Sequence, residues 1–314
     1  MAAASRSSGT LVIPPSQFID IDGKPVHWVD FGGPENGSGG GSEGAPTMVC
    51  VHGLGGSFAN WLSFAPLMTD EYRVVAFDLA GNGRTPPAGR KADIRSNRRL
   101  VDGFIRAISP DKPVTLVGNS MGGLLSILQT ARAPETVERL VLLDAAVPLP
   151  RNRVPKDPRF IGGFALMLVP GAGERVMSRR GRRGPEFLVH ETLALVCHDP
   201  SRVDPQLLRF SEELAAERAG KPGLDKAFLG AARSLTGVLA RPKRYVEAIM
   251  SIRRPTLVLF GEHDRLVPVA AGRALAAKRA DWAFHVHPDL GHVPQLEDPQ
   301  WTAQQIREWV AELS

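Results

Sequence analysis

Gly118-Asn119-Ser120-Met121-Gly122 is the segment of this 314-residue chain whose residue types and spacing point most directly to chemistry. A serine flanked by glycines two positions away on each side sits on a sharp turn when a strand precedes it and a helix follows. Its hydroxyl then projects from the edge of a sheet as a nucleophile. Val114-Thr-Leu-Val117 before it and the apolar Met121-Gly-Gly-Leu-Leu125 after it supply that context. A second copy, Gly40-Gly41-Ser42-Glu43-Gly44, lies in a glycine-rich stretch with no strand in front of it and is an accident of composition. A hydroxyl is a weak nucleophile near neutral pH. The chemistry therefore needs a base to take its proton and an acid to orient that base and stabilise its cation. Eight histidines and 33 Asp and Glu residues are the pool.

The elements that must position these groups can be read from periodicity. Phe18 to Phe31 holds two alternating runs around Asp22-Gly23, a favoured two-residue turn, and reads as a hairpin. Residues 32–46 contain seven glycines in fifteen and read as a flexible surface loop. Short apolar runs then alternate with helical patterns. Strands are expected at Thr47–Val51, Tyr72–Phe77, Val114–Val117, Leu140–Leu143, Thr256–Phe260 and Trp282–Val286, with helices at 92–108, about 121–133 and 299–313. That alternation implies a mostly parallel sheet flanked by helices, an α/β fold. Residues 148–249 break the rhythm with helix-like patterns and no convincing strand. They read as a helical domain inserted before the penultimate strand, between the fifth and sixth strands of the run that begins at Thr47. The core is then 1–147 with 250–314.

Composition bounds the rest. Apolar residues at 43% and charged residues at 23% are ordinary globular usage, which excludes a largely disordered chain. No apolar run approaches the ~20 residues that span a bilayer, and the N-terminus lacks a secretory pattern, so the chain reads as cytoplasmic. Cys50 and Cys197 make no disulfide framework and have no metal-ligand spacing around them. The net charge of +5 is concentrated: Arg151 to Glu186 holds nine basic and three acidic residues. Such a segment suits an anionic partner or, more simply, a solvated arginine-rich face. No nucleic-acid motif or aromatic platform accompanies it, and no nucleic-acid partner is expected.

Taken in order, His52-Gly-Leu-Gly-Gly-Ser57, Asp78-Leu-Ala-Gly-Asn-Gly83, the serine turn, Gly261-Glu-His-Asp-Arg-Leu-Val-Pro268 and Gly291-His-Val-Pro294 make the chain resemble the α/β-hydrolase superfamily, its serine esterase and lipase-like branch with a helical cap. The resemblance covers most of the chain outside 148–249, which it implies is a cap over the site. It implies the order Ser, acid, His: Ser120 as nucleophile, His292 in the loop past the last strand as base, and Asp264 as the acid. Glu262, out of phase in its motif, and Asp144, at the end of the fourth strand where some relatives carry the acid, are the rivals. His285 and His287 fall on the strand itself, and His52 reads as structural. The oxyanion donors would be the backbone N–H groups of Met121 and Leu54.

Serine at position 120 excludes the aspartate-nucleophile epoxide hydrolases and haloalkane dehalogenases of this fold. Ester, thioester, lactone or amide hydrolysis, peracid formation and C–C hydrolysis of vinylogous diketones remain. The C–C enzymes' usual Gly-Gly-Gly-Pro-Gly loop and tryptophan after the histidine are absent here, where Leu54-Gly55-Gly56 and Val293-Pro294 stand. The expected activity is therefore cleavage of a small apolar ester without metal or organic cofactor. The alternatives are the C–C hydrolase and a non-catalytic ligand-binding protein of the same fold. Phe160–Pro170 reads as a cap helix lining an acyl pocket, and Arg179, Arg180, Arg182 and Arg183 as a basic rim favouring substrates with an anionic end or a lipid surface.

Overall fold

The computed structural model describes residues 10–34, 45–149 and 166–313. Among them eight strands form one sheet in the order β1-β2-β4-β3-β5-β6-β7-β8. β1 (Gln17–Ile21) and β2 (Lys24–Asp30) form the antiparallel hairpin, and β2 pairs antiparallel with β4 (Arg73–Phe77). Asp22 and Gly23 both take positive φ, 55° and 72°, as a hairpin turn twisted to match its strands requires. The remaining neighbours, β3 (Thr47–Val51), β5 (Val114–Asn119), β6 (Val137–Leu143), β7 (Thr256–Gly261) and β8 (Ala283–His287), are parallel.

The apolar runs are continuous because alternate residues enter separate cores on the two faces. Val49, Val51, Leu116, Leu140, Leu142, Val258 and Phe260 join one core. Met48, Cys50, Val117, Val141, Leu143, Leu257 and Leu259 join the other. Helix α1 (Ile94–Ile108) starts where Asp93 accepts from the Ser96 N–H, a cap worth about 1 kcal/mol, and buries Leu100, Val101, Phe104 and Ile105. Helix α2 (Met121–Arg132) follows β5 directly and is buried along most of its length.

The helical insertion lies between the fourth and fifth strands of the parallel run, not the fifth and sixth. Leu140 and Thr256 belong to β6 and β7, adjacent in sequence order and paired in the sheet. It contains α3 (Ala172–Gly181), α4 (Pro185–Val196), α5 (Pro205–Arg218), α6 (Leu224–Ala240) and α7 (Lys243–Ser251). Its later helices are fastened to the sheet domain. Phe210 meets the Phe58 ring edge-on, the Arg218 guanidinium donates to the Gly81 and Gly83 carbonyls, and the Tyr245 hydroxyl donates to the Ala146 carbonyl. Past β7 come α8 (Val269–Lys278), the single turn α9 (Pro294–Glu297) and α10 (Pro299–Glu312). No helix among the described residues is long and apolar enough to cross a membrane. The Gly40–Gly44 copy of the serine pattern and residues 160–165 of the Phe160–Pro170 stretch lie outside the described residues.

Candidate active site

The carboxyl ends of adjacent parallel strands are where an open α/β sheet gathers its functional groups, at the point where strand order reverses. Here β3 is flanked by β4 and β5, so the loops after β3 and β5 leave the sheet side by side. Ser120 follows β5, Asp144 follows β6, and Asp264 lies three residues past β7; His292 lies five past β8.

Ser120 adopts φ 56°, ψ −119°, a sparsely populated backbone conformation that costs about 1–3 kcal/mol. Neighbouring hydrogen bonds hold it there. Its N–H donates to the Leu143 carbonyl (3.0 Å), and its own carbonyl accepts from the Leu124 and Ala146 N–H groups. The turn tolerates no side chain at Gly122, where a Cβ would lie 2.1 Å from the Val51 carbonyl oxygen. Gly53, in the loop after β3, also packs closely: a Cβ there would lie 3.0 Å from that of Ser120. Leu54 and Gly55 form the turn closed by the Gly56 N–H on the Gly53 carbonyl. Met121 opens α2, so its N–H is one of the helix's first four, which lack intrahelical acceptors and carry the positive end of the dipole.

His292 Nδ1 lies 2.7 Å from Asp264 Oδ2, and both side chains are buried. The other Asp264 oxygen accepts from the Leu266 and Val267 N–H groups at 2.7 and 3.0 Å. His292 itself is fixed by its backbone. Its N–H donates to the Val196 carbonyl and its carbonyl accepts from the Asn119 side-chain amide, which also donates to the Leu143 carbonyl. The residue beside the serine is thereby tied to the residue bearing the imidazole.

The rivals separate cleanly. Glu262 points to the surface and pairs with Arg273. Asp144 is wholly buried and comes within 4.8 Å of both Asp264 and His292, with one oxygen accepting from the Gly261 N–H at 3.0 Å. Burial, and next the Asp264 charge, hold its carboxyl well above the usual carboxylate range. Asp144, Asp264 and His292 are the one grouping of metal-ligating types found among the described residues, but a cation there would compete with the 2.7 Å His292–Asp264 bond. His285 contacts Gln305, and His287 packs edge-on against Trp301. His52 is buried, receives the Leu79 N–H on Nε2 and has Nδ1 2.7 Å from the Gly53 carbonyl; burial lowers its pKa and it is held neutral. Cys50 and Cys197 are free and buried, and burial pushes both thiols up.

Two contributors were not visible in the sequence. Glu297 accepts from the Gly291, His198 and Asp199 N–H groups at 2.8, 2.8 and 3.0 Å. It thus ties the loop before His292 to the end of α4, where the His198 and His263 rings stack at 3.9 Å. Asn119 occupies the unspecified position of the serine motif, so the pattern gives it no role. Helix α6 also reaches this end of the sheet: the Phe228 ring lies 3.1 Å from where a Cβ on Gly55 would be.

Residues 46–299 match the family described as alpha/beta hydrolase fold. An uncharacterized hydrolase, YugF, of Bacillus subtilis is 26% identical over 95% of this chain and 98% of its own length. The 2-hydroxy-6-oxononadienedioate/2-hydroxy-6-oxononatrienedioate hydrolase of Klebsiella pneumoniae is 27% identical over 90% of this chain and 91% of its own. Among solved structures, a membrane phospholipase A described as a bacterial virulence factor superposes with a TM-score of 0.73 at 26% identity, covering 95% of this chain and 86% of the other.

Proposed function

The chain belongs to the alpha/beta hydrolase fold family, and from that premise we propose that it is a serine hydrolase cleaving a small apolar carboxylic ester, thioester or lactone. Ser120 Oγ attacks the carbonyl carbon while His292 takes its proton, and Asp264 fixes the imidazole and stabilises its cation. The tetrahedral oxyanion is received by the Met121 and Leu54 N–H groups, each donor worth about 3–4 kcal/mol. Protonated His292 then gives its proton to the leaving alcohol. A water, activated by the same imidazole, releases the acyl group from Ser120. The inserted helices 166–249 serve as a cap that shapes the acyl pocket.

The observation that carries this reading is the conjunction of a strained serine at the head of α2 with a buried His292–Asp264 pair at 2.7 Å, linked through Asn119. A second reading, C–C cleavage of a vinylogous diketone, is favoured by the relatives named as 2-hydroxy-6-oxononadienedioate/2-hydroxy-6-oxononatrienedioate hydrolases at 24–27% identity. A panel of p-nitrophenyl esters of graded length beside a vinylogous diketone separates the two. Ester turnover with a fluorophosphonate adduct on Ser120 is expected, falling about 10⁴-fold or more in Ser120→Ala. Turnover of the diketone alone would transfer the assignment to the second reading. Neither turnover nor labelling would leave a ligand-binding protein.

A further inference from the structure

Asp144 has two carboxyl oxygens in different situations. Oδ1 accepts from the Gly261 N–H; Oδ2 is buried and has no hydrogen-bond partner among the described residues. The carboxyl comes within 4.8 Å of that of Asp264, whose oxygens already hold three donors: the Leu266 and Val267 N–H groups and His292. Two carboxylates placed together away from water cannot both stay ionised, and the one with fewer donors keeps the proton. Asp144 has one donor and Asp264 three. The position is held firmly: the Asp144 N–H donates to the Leu259 carbonyl, and the residue adopts φ 43°, a left-handed conformation unusual for a non-glycine. The charged and titratable groups bearing on it are Asp264, His292 and, from α9, Glu297.

We propose that Asp144 is a positioning residue: a neutral carboxylic acid whose Oδ2–H is directed at the Asp264 carboxylate, so that His292 is oriented by a carboxyl–carboxylate pair and not by a lone aspartate. The proton stays on Asp144 throughout turnover. By drawing charge from Asp264, it limits how strongly the imidazolium is stabilised and so sets the acidic limb of the pH–rate profile. Burial acts in the same direction, since desolvation and the Asp264 charge both disfavour the ionised form of Asp144.

The kinetic arm rests on the serine-hydrolase reading; the spectroscopic arm does not. Infrared difference spectra of full-length wild type against Asp144→Asn at neutral pH are expected to show the carbonyl stretch of a protonated carboxyl that the variant lacks. Absence of that band overturns the proposal whether or not the protein hydrolyses esters. In kcat/KM profiles, Asp144→Asn keeps a donor towards Asp264, and its acidic limb is expected to stay where it is in wild type. Asp144→Ala removes the donor and is expected to move the limb upward by about one pH unit. A downward shift in Asp144→Asn would mean that a negative charge had been removed, and the proposal would fall. If the alanine variant does not fold, the infrared band and the asparagine profile still decide.

Discussion

The carboxyl ends of β5, β6 and β7 and the first half of the helical insertion are both rich in apolar residues, yet they are built in opposite ways. At the strand ends nearly every side chain is buried and almost every backbone group near the site has a named partner. In α4, by contrast, Pro185–Val196 is apolar in sequence, but none of its residues is fully buried. Leu166, Val169 and Phe187 are 48%, 52% and 37% exposed. Arg180 of α3 pairs with Glu191 of α4, both side chains partly exposed, a contact worth about 1 kcal/mol at most. Burial of a large apolar side chain stabilises by about 1.5–3 kcal/mol, and the strand ends collect that term many times over. They can therefore hold a strained serine and a buried acid pair, while the α3–α4 region buries little apolar surface of its own. The two regions meet where Glu297 and the Val196 carbonyl fasten the end of α4 to the His292 loop.

The strand ends are most vulnerable at Gly122. A methyl group there meets backbone on β3, so Gly122→Ala should cost above about 4 kcal/mol and lower Tm by about 10 °C, read by thermal unfolding. The seam comes next. Glu297→Ala strands three backbone N–H groups and should cost about 3 kcal/mol. Ester turnover should fall further than Tm alone accounts for, because the His292 loop loses its anchor; unchanged kcat at a temperature where the variant is folded would separate the seam from the chemistry.

A smaller effect appears in pH dependence. The folded state holds His52 neutral with a lowered pKa, so the unfolded chain binds the extra proton first. Stability from this residue is full above about pH 6.5 and is lost as pH falls below it. The decline of Tm between about pH 7 and 5 should be shallower in His52→Gln than in wild type. Least affected of all should be the α3–α4 surface. Replacing Arg179, Arg180, Arg182 and Arg183 by Ala should change stability by under about 0.5 kcal/mol per site, while shifting the preference for chain length or anionic groups among esters. Identical preference profiles would remove the basic rim from the account of specificity.

Much of this was legible from residues in order. The strands of the sheet core, the turn at Asp22-Gly23 and the strand–serine–helix context of Ser120 rest on local periodicity and on glycine positions. Those properties are set within a few residues of chain and survive translation into three dimensions. Boundaries shifted where pairing extends a strand past its apolar run: β5 runs on to Asn119 and β6 begins at Val137, because both are paired along those residues. The exposure of α4 was hidden, since an apolar helix reads as buried whether or not anything covers it.

What tertiary structure alone decided is which acids reach the histidine. Sequence could rank Asp264, Asp144 and Glu262 by motif phase, but proximity depends on β6 and β7 lying side by side with Leu143 opposite Leu259. That register brings Asp144 against Asp264 from 120 residues away in the chain and leaves Glu262 on the surface with Arg273. The three N–H groups on Glu297 come from two loops nearly a hundred residues apart. Residue type and short-range spacing fix what each segment can form; only the packing of the sheet fixes the distances between segments, and with them the charge each buried carboxyl can carry.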